Sequence, residues 1–523
     1  MPPINKTRIA KNTALLYFRM LLIMLITLYT TRVVLNVLGE VDFGTNEVIA
    51  GVVAMFAFLS GTMATASQRF FAVELGVENY TKLKQLFSVN MLIFIVIAIT
   101  IFILAETIGL WYFNNIMKIP PNRVEAAAWV YQFAVFTFMV SIITTPYLAI
   151  ITAREHMQAY AYISILEVIF KLAVVFVLIY IPVDKLKLYA VLLFVVQVLI
   201  STSYILYSTL KFPECKIRYY WNKNMFNEVF GFAGWSVFGA LAMTVRGQGI
   251  NLLLNFFFGV IVNSARGIAF RVYTALNLFI HNFFTAIRPQ IIKSYSADNE
   301  DKSGEMMNLV FQSSKFCYYL ILVLSIPILI ETEAILSIWL TKVPEYTIIF
   351  TRLVIINAII ESLANPFIAS IQATGKIKRY QIITGSIILM NLPISYLFLK
   401  MGFPPETTMI IVIIITVVAH LCRIYFMKTM LKMNIFHYLK RVVLPVSAVT
   451  VLAFALPLLC YYSLSVSFWR IVGVTAVTLI ASAVIIYYVG LTKSERKSLK
   501  GFVVSKIGDK EKRSAPFFIF SPK

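Results

Sequence analysis

Apolar runs follow one another along the whole chain, broken only by short polar stretches. Each is long enough, at roughly 20 residues or more, for a helix to cross the hydrocarbon of a bilayer. About fourteen spans are predicted, at about 14–38, 47–68, 86–109, 126–151, 160–181, 186–210, 228–256, 264–289, 306–332, 347–372, 380–401, 406–430, 441–463 and 467–491. The runs are too unbroken for barrel strands, which alternate in segments of about 10 residues. The predicted fold class is an all-α polytopic membrane protein. The first run is full length and lacks a small-residue cleavage site, so it is expected to remain as the first span.

The pattern also repeats. PYLAIITAREHMQAY from Pro146 and PFIASIQATGKIKRY from Pro366 share Pro, Ala, Ile, Ala and Tyr in register, at an offset of 220 residues. Thr65-Ala66 meets Thr285-Ala286 at the same offset, and Leu35-Asn36 meets Leu254-Asn255 at 219. An even number of spans separates the copies, so two six-helix repeats are predicted to run parallel. Parallel repeats are an architecture of secondary transporters, with the substrate path between the halves. The division predicted is 1–210 and 211–432 for the two lobes, 433–491 for two additional spans, and 492–523 for a basic tail. Pro146 and Pro366 fall near span ends, where proline either bends the helix or serves packing.

Composition agrees: 60% of residues are hydrophobic and 13% charged, with mean hydropathy +0.83. The net charge of +22 would suit nucleic acid if it lay on a soluble face, but it lies in the connections. With the amino terminus inside, about 30 Lys and Arg fall on the cytoplasmic side and about 7 outside, as the positive-inside rule demands. Both termini are then cytoplasmic, facing anionic inner-leaflet lipids, and no nucleic-acid partner is expected. The first external loop reads GEVDFGTNE, with Glu40, Asp42 and Glu47 and no base. In the tail, Thr492 and Glu495 form a capping box, and Leu499, Phe502, Val503 and Ile507 recur among Arg496, Lys497, Lys500 and Lys506, a pattern suited to a helix on the membrane surface. Cys215, Cys317, Cys422 and Cys460 have no metal-site spacing. No cofactor is expected, and no GxxxxGK[ST] loop for nucleotide hydrolysis occurs.

Charges inside the spans carry the candidate chemistry, because an intramembrane arginine normally faces a wet cavity or a partner. Arg19, Arg32, Lys171, Arg246, Arg266, Arg271, Lys315, Arg352 and Arg423 fall there. On span eight, Arg271 shares a helical face with Thr274, Asn282 and Thr285, while Arg266 either lines the same path or anchors the rim. Span seven adds Arg246, Asn251 and Asn255, and span five pairs Glu167 with Lys171 at i,i+4. Intramembrane acids are few, chiefly Glu361 and the edge residue Glu106, so a cationic cavity with an anionic cargo is expected. Arginine's planar fork suits phosphate oxygens. Glu167, Lys171, Glu361, His281 and His420 are the candidates for ion coupling.

The stretches LYTTRVVLNVLGEVDFG (28–44), TASQRFFAVELG (65–76) and ARGIAFRVYTALNLFIHNFFTAIRPQIIKSY (265–295) resemble the bacterial polysaccharide-biosynthesis flippases of the multidrug, oligosaccharidyl-lipid and polysaccharide exporter superfamily. The resemblance implies a V-shaped bundle in the bacterial cytoplasmic membrane. Its implied activity is alternating access that moves undecaprenyl-pyrophosphate-linked oligosaccharide, such as an O-antigen unit of lipopolysaccharide, to the outer leaflet. It assigns Arg32, Arg246 and Arg271 to the lumen, with Arg19 and Arg266 beside them, and the polar stripes of spans seven and eight add Asn255 and Asn282 as candidates for the anionic head group. It also implies polysaccharide polymerase and glycosyltransferases as partners.

Lipid II flippases of that superfamily carry an arginine within span two, where this chain has none before Arg69 at the boundary. They remain an alternative, as does a multidrug/cation antiporter, which should line its cavity with acids. A major-facilitator transporter should carry a glycine-rich basic loop after span two, and QRFFAVELG is not one. A membrane glycosyltransferase would need a large catalytic loop, and the external loops are short, so no enzymatic activity is expected.

Overall fold

The computed structural model describes residues 6–55, 63–64, 67–68, 70–71, 74–75, 78–154, 156–216, 220–296, 303–374 and 377–497; the side chains of 6–19, 228–240 and parts of 281–305 lie outside the described residues. Among the described residues the chain is helical with no strand. Eleven stretches are long and apolar enough to cross a membrane. They coincide with predicted spans one, three to six and nine to fourteen. Spans seven and eight are helical wherever they are described, as is span two apart from a turn at Met55. The chain is a multi-pass all-α membrane protein.

Helix α1 (Lys6–Ala54) contains one break, at Gly39, with φ 76° and ψ 173°. Its first arm runs toward what we call the far end, and its second arm returns from it. Helices α2 (Tyr80–Leu104), α3 (Val124–Ala153), α4 (Met157–Tyr180) and α5 (Lys185–Lys211) complete the first half. The second half begins with α6 (Lys223–Phe258) and α7 (Val260–Ser296), divided by Gly259 at φ 80° and ψ −171°. The two glycines stand 220 positions apart, the offset of the sequence repeat. A Cβ on either would touch nothing within 4 Å, so the left-handed backbone alone selects glycine there.

The second half continues with α8 (Ser303–Ile330), α9 (Thr332–Trp339), α10 (Thr347–Ser362), α11 (Ala364–Ala373), α12 (Lys378–Leu389), α13 (Asn391–Lys400) and α14 (Thr407–Leu431). Pro146 lies inside α3 and Pro366 in the first turn of α11.

The second arm of α1 crosses α7 at very close range. A methyl on Gly44 would overlap the Val260 carbonyl oxygen and come within 3.2 Å of the Ser264 nitrogen, and one on Gly267 would sit 2.9 Å from Glu47 Cγ. Gly44 and Ser264 are repeat mates, as are Glu47 and Gly267. The crossing of α1 and α7 thus brings repeat-related positions of the sequence together.

Hydrogen bonds between the halves gather at the far end. Asn36 Nδ2 donates to Thr341 Oγ1 at 2.7 Å, and Trp339 Nε1 donates to the Leu28 carbonyl at 2.8 Å. Lys342 pairs with Glu40 at 3.0 Å. Beside them, Arg123 forks between Asp42 and Asp184. Burial opposes ionisation of Asp184, yet Arg123 and the backbone N–H groups opening α5 hold its carboxyl below the usual range.

Two further helices, α15 (Leu444–Ser463) and α16 (Phe468–Ile485), pack against each other and against α8. Arg470 makes a bidentate buried pair with Glu331 at 2.7 and 2.8 Å. Val451, Leu459, Tyr462 and Ile480 are exposed on their outer faces, where hydrocarbon is the natural solvent. After α16, the Thr492–Glu495 capping box forms as predicted, with Glu495 Oε2 accepting from Thr492 N at 2.7 Å. The same carboxylate pairs with buried Lys315 at 2.7 Å.

Candidate substrate cavity between the two halves

A cavity of about 630 Å³ lies between the halves, walled by both arms of α1 and by α4, α5, α6 and α7. Its polar lining comprises Thr27, Thr30, Thr31, Asn46, Tyr160, Ser164, Tyr189, Gln248 and Asn251. Its charged lining is Glu47, Glu167, Lys171, Arg266 and Arg271. Three cations face two carboxylates among the described residues, so the surplus is one positive charge and the lining is of mixed sign.

Arg271 Nη2 donates to Glu47 Oε1 at 2.6 Å, across the two halves. Arg266, 5% exposed, donates to the Gly247 carbonyl at 2.6 Å and stacks over Phe270 at 4.1 Å. Arg266 has no carboxylate partner among the described residues. The Nε atoms of Arg266 and Arg271 are both buried without a hydrogen-bond partner. Unpaired buried guanidinium donors are unusual, because a buried charge normally has its donors satisfied. On α4, Glu167 and Lys171 form the predicted i,i+4 pair at 2.6 Å, facing the same cavity.

Several residues expected at this site are placed elsewhere. Arg32 is exposed and donates to the Ile338 carbonyl at 3.3 Å, tying α1 to the last turn of α9. Arg246 points from α6 into the second half, where it meets Glu361 at 3.4 Å. Glu361 also accepts from Tyr273 at 2.9 Å and from Asn357 at 3.3 Å. Asn255 is fully buried and clasps Lys118, accepting from its N–H at 2.9 Å and donating to its carbonyl at 3.2 Å. It seals the far end because the α6 stripe from Asn251 to Asn255 runs past the cavity. His420 is packed against Phe367 and bonded to Tyr438 at 3.0 Å, away from the cavity. The side chains of Arg19, His281 and Asn282 lie outside the described residues.

Sequence reasoning missed Glu47. It was counted among the acids of an external loop, because GEVDFGTNE is polar throughout. In fact the helix resumes directly after Gly39 and carries Glu47 inward to Arg271. The available signal was the repeat: at the 220 offset Glu47 faces a glycine, Gly267, that leaves room for it.

No protein-family profile matches the sequence, and no curated protein matches it either. Solved structures do share its fold. One is a multidrug resistance transporter of the MATE family, MOP superfamily, in an inward-facing conformation, with TM-score 0.67, 13% identity, 78% of this chain covered and 94% of the other. A second is the lipid II flippase MurJ in an inward closed conformation, with TM-score 0.62, 13% identity, and 89% and 99% covered. A third is a MOP superfamily transporter from Pyrococcus furiosus, described as having a binding pocket of reversed polarity, with TM-score 0.52, 13% identity, and 81% and 96% covered. The chain has the fold of the MOP superfamily transporters.

Proposed function

We propose that this protein is a flippase that moves a polyprenyl-pyrophosphate-linked oligosaccharide across the bacterial cytoplasmic membrane by alternating access, with residues 1–210 and 211–432 as the two moving lobes. The observation that carries the reading is the pair Arg266 and Arg271, which line a polar cavity between the halves and each keep a buried guanidinium donor without a partner. A pyrophosphate brings the fixed charge and planar-fork geometry that guanidinium donors match. The cavity falls within the range of about 300–1,000 Å³ typical of ligand sites. It suits a head group, while the polyprenyl tail stays in hydrocarbon and longer glycans need the halves to part.

The concentration of bases in the connections at the end opposite Gly39 and Gly259 supports that end as cytoplasmic, with both termini inside. The far-end bonds between the halves then close the cavity toward the outside. Lys171 with Glu167 and Arg246 with Glu361 are the candidate coupling pairs. Polysaccharide polymerase and glycosyltransferases are the proposed protein partners.

A second reading, export of organic cations, draws on Glu47 and Glu167 in the lining. Lipid II is the alternative lipid-linked cargo. The test is genetic: with Arg271→Ala as the sole copy, the variant inserts normally and surface polysaccharide is lost. Normal polysaccharide in that strain contradicts the proposal.

A further inference from the structure

Arg271, the cation best placed for cargo, already holds an anion. Glu47 comes from the first half and Arg271 from the second, and they meet at 2.6 Å. The pair is fitted by the repeat: Glu47 has Gly267 as its mate, and Arg271 has Gly51. Gly267 gives Glu47 its room on α7, whereas Gly51 of α1 faces Asn251 and Gln248 of α6. A methyl on Gly267 would press on Glu47 Cγ at 2.9 Å and on Oε2 at 3.0 Å. The fit exists only in this register of α1 against α7, so sliding or parting the halves breaks it. Asn251 of α6 also holds the Glu47 backbone carbonyl, at 3.1 Å.

Arg266 stands five residues before Arg271, about 7.5 Å along the helix, and Glu47 makes no hydrogen bond to it. An incoming anion therefore meets one guanidinium already bonded to a carboxylate and one that no carboxylate bonds among the described residues. A carboxylate bearing a single charge offers Arg271 nothing that Glu47 does not already supply. An anion with two or more charges can engage both arginines and prevail.

We propose that Glu47 is the resident counter-anion of the cargo site: a polyanionic head group replaces it at Arg271, and this exchange releases the halves at the α1–α7 crossing. The proposal rests on reading the cavity as an anion site. It makes Glu47 a specificity-determining residue, excluding monoanions and admitting phosphate-bearing ones, and it couples cargo entry to unlatching.

The test uses the full chain in lipid nanodiscs and calorimetric titration with inorganic pyrophosphate, with acetate as the monoanionic probe. The wild type is expected to bind pyrophosphate and not acetate. Glu47→Gln, which keeps the side-chain shape, is expected to bind pyrophosphate about tenfold more tightly, the scale of one charge-assisted bond no longer displaced. Gly267→Ala, which crowds Glu47 without removing it, should shift affinity in the same direction. Arg271→Ala should lose binding with either residue at 47. Equal or weaker binding by both Glu47→Gln and Gly267→Ala, with Arg271→Ala still inactive, overturns the exchange and leaves the anion site standing. Absence of pyrophosphate binding in wild type and Glu47→Gln alike overturns the anion site and the exchange with it.

Discussion

Among the described glycines Gly44 leaves the least room for a side chain, and Gly44→Ala tests whether the halves move about the α1–α7 crossing. The added methyl would overlap the Val260 carbonyl oxygen, which belongs to the backbone and cannot rotate away. Relief requires the helices to separate locally, and overpacking of this kind costs about 1–3 kcal/mol. That strain exists only while the far end is closed, so it falls on the closed state and spares the parted one. A shift of about 1.4 kcal/mol changes the ratio of the two states roughly tenfold. Asn36 and Thr341 report the closed state, because their side chains bond at 2.7 Å across the seal. Cysteines placed at both positions and oxidised in membranes should cross-link rapidly in the parent chain and about tenfold more slowly with Gly44→Ala. An unchanged cross-linking rate, with normal insertion, would refute the reasoning that this contact sets the closed state.

Other predictions concern what holds the remaining helices. Arg470→Ala strands Glu331 in a buried site, where both partners are under a tenth exposed; removing one member of such a pair costs about 3–5 kcal/mol. Detergent-solubilised protein should melt markedly earlier, and Arg470→Met with Glu331→Leu should recover most of the loss. Lys315→Met removes the anchor of the Thr492–Glu495 turn, so limited proteolysis should cut the tail faster while the bundle stays intact. Asp184 has a folded pKa below its unfolded value, so its stabilising contribution is full above about pH 4 and is lost as pH falls through the lower folded value. Melting curves of wild type and Asp184→Asn should therefore differ at neutral pH and converge in acid.

The apolar runs sufficed for the bundle, because hydrocarbon demands about 20 apolar residues per crossing, and Pro146 with Pro366 exposed the repeat. The hinge glycines escaped notice. Gly39 sits in a polar stretch that reads as loop, and its left-handed backbone leaves no mark in hydrophobic periodicity. Charge sign was harder still. Arg246 and Arg271 look like free cations in isolation, yet their partners Glu361 and Glu47 lie 115 and 224 residues away in sequence. Helical stripes indicate which face is polar and not which neighbour covers it. Arg266, open in the sequence between lining the path and anchoring the rim, lines the cavity with Arg271, whereas Arg32 and Asn255 are drawn off by the Ile338 carbonyl of α9 and by the backbone of Lys118.

In the proposed function, arginines of α7 carry a pyrophosphate head group between leaflets. Purified protein in proteoliposomes, supplied with a fluorescent polyprenyl-pyrophosphate oligosaccharide, allows transfer to be measured directly by quenching from one side. Wild-type protein should move the lipid, Arg271→Lys should move it slowly, and Arg271→Ala should reduce transfer to the protein-free rate. Transfer by Arg271→Ala at the wild-type rate, or no transfer of any pyrophosphate-linked saccharide by the wild type, would contradict the account.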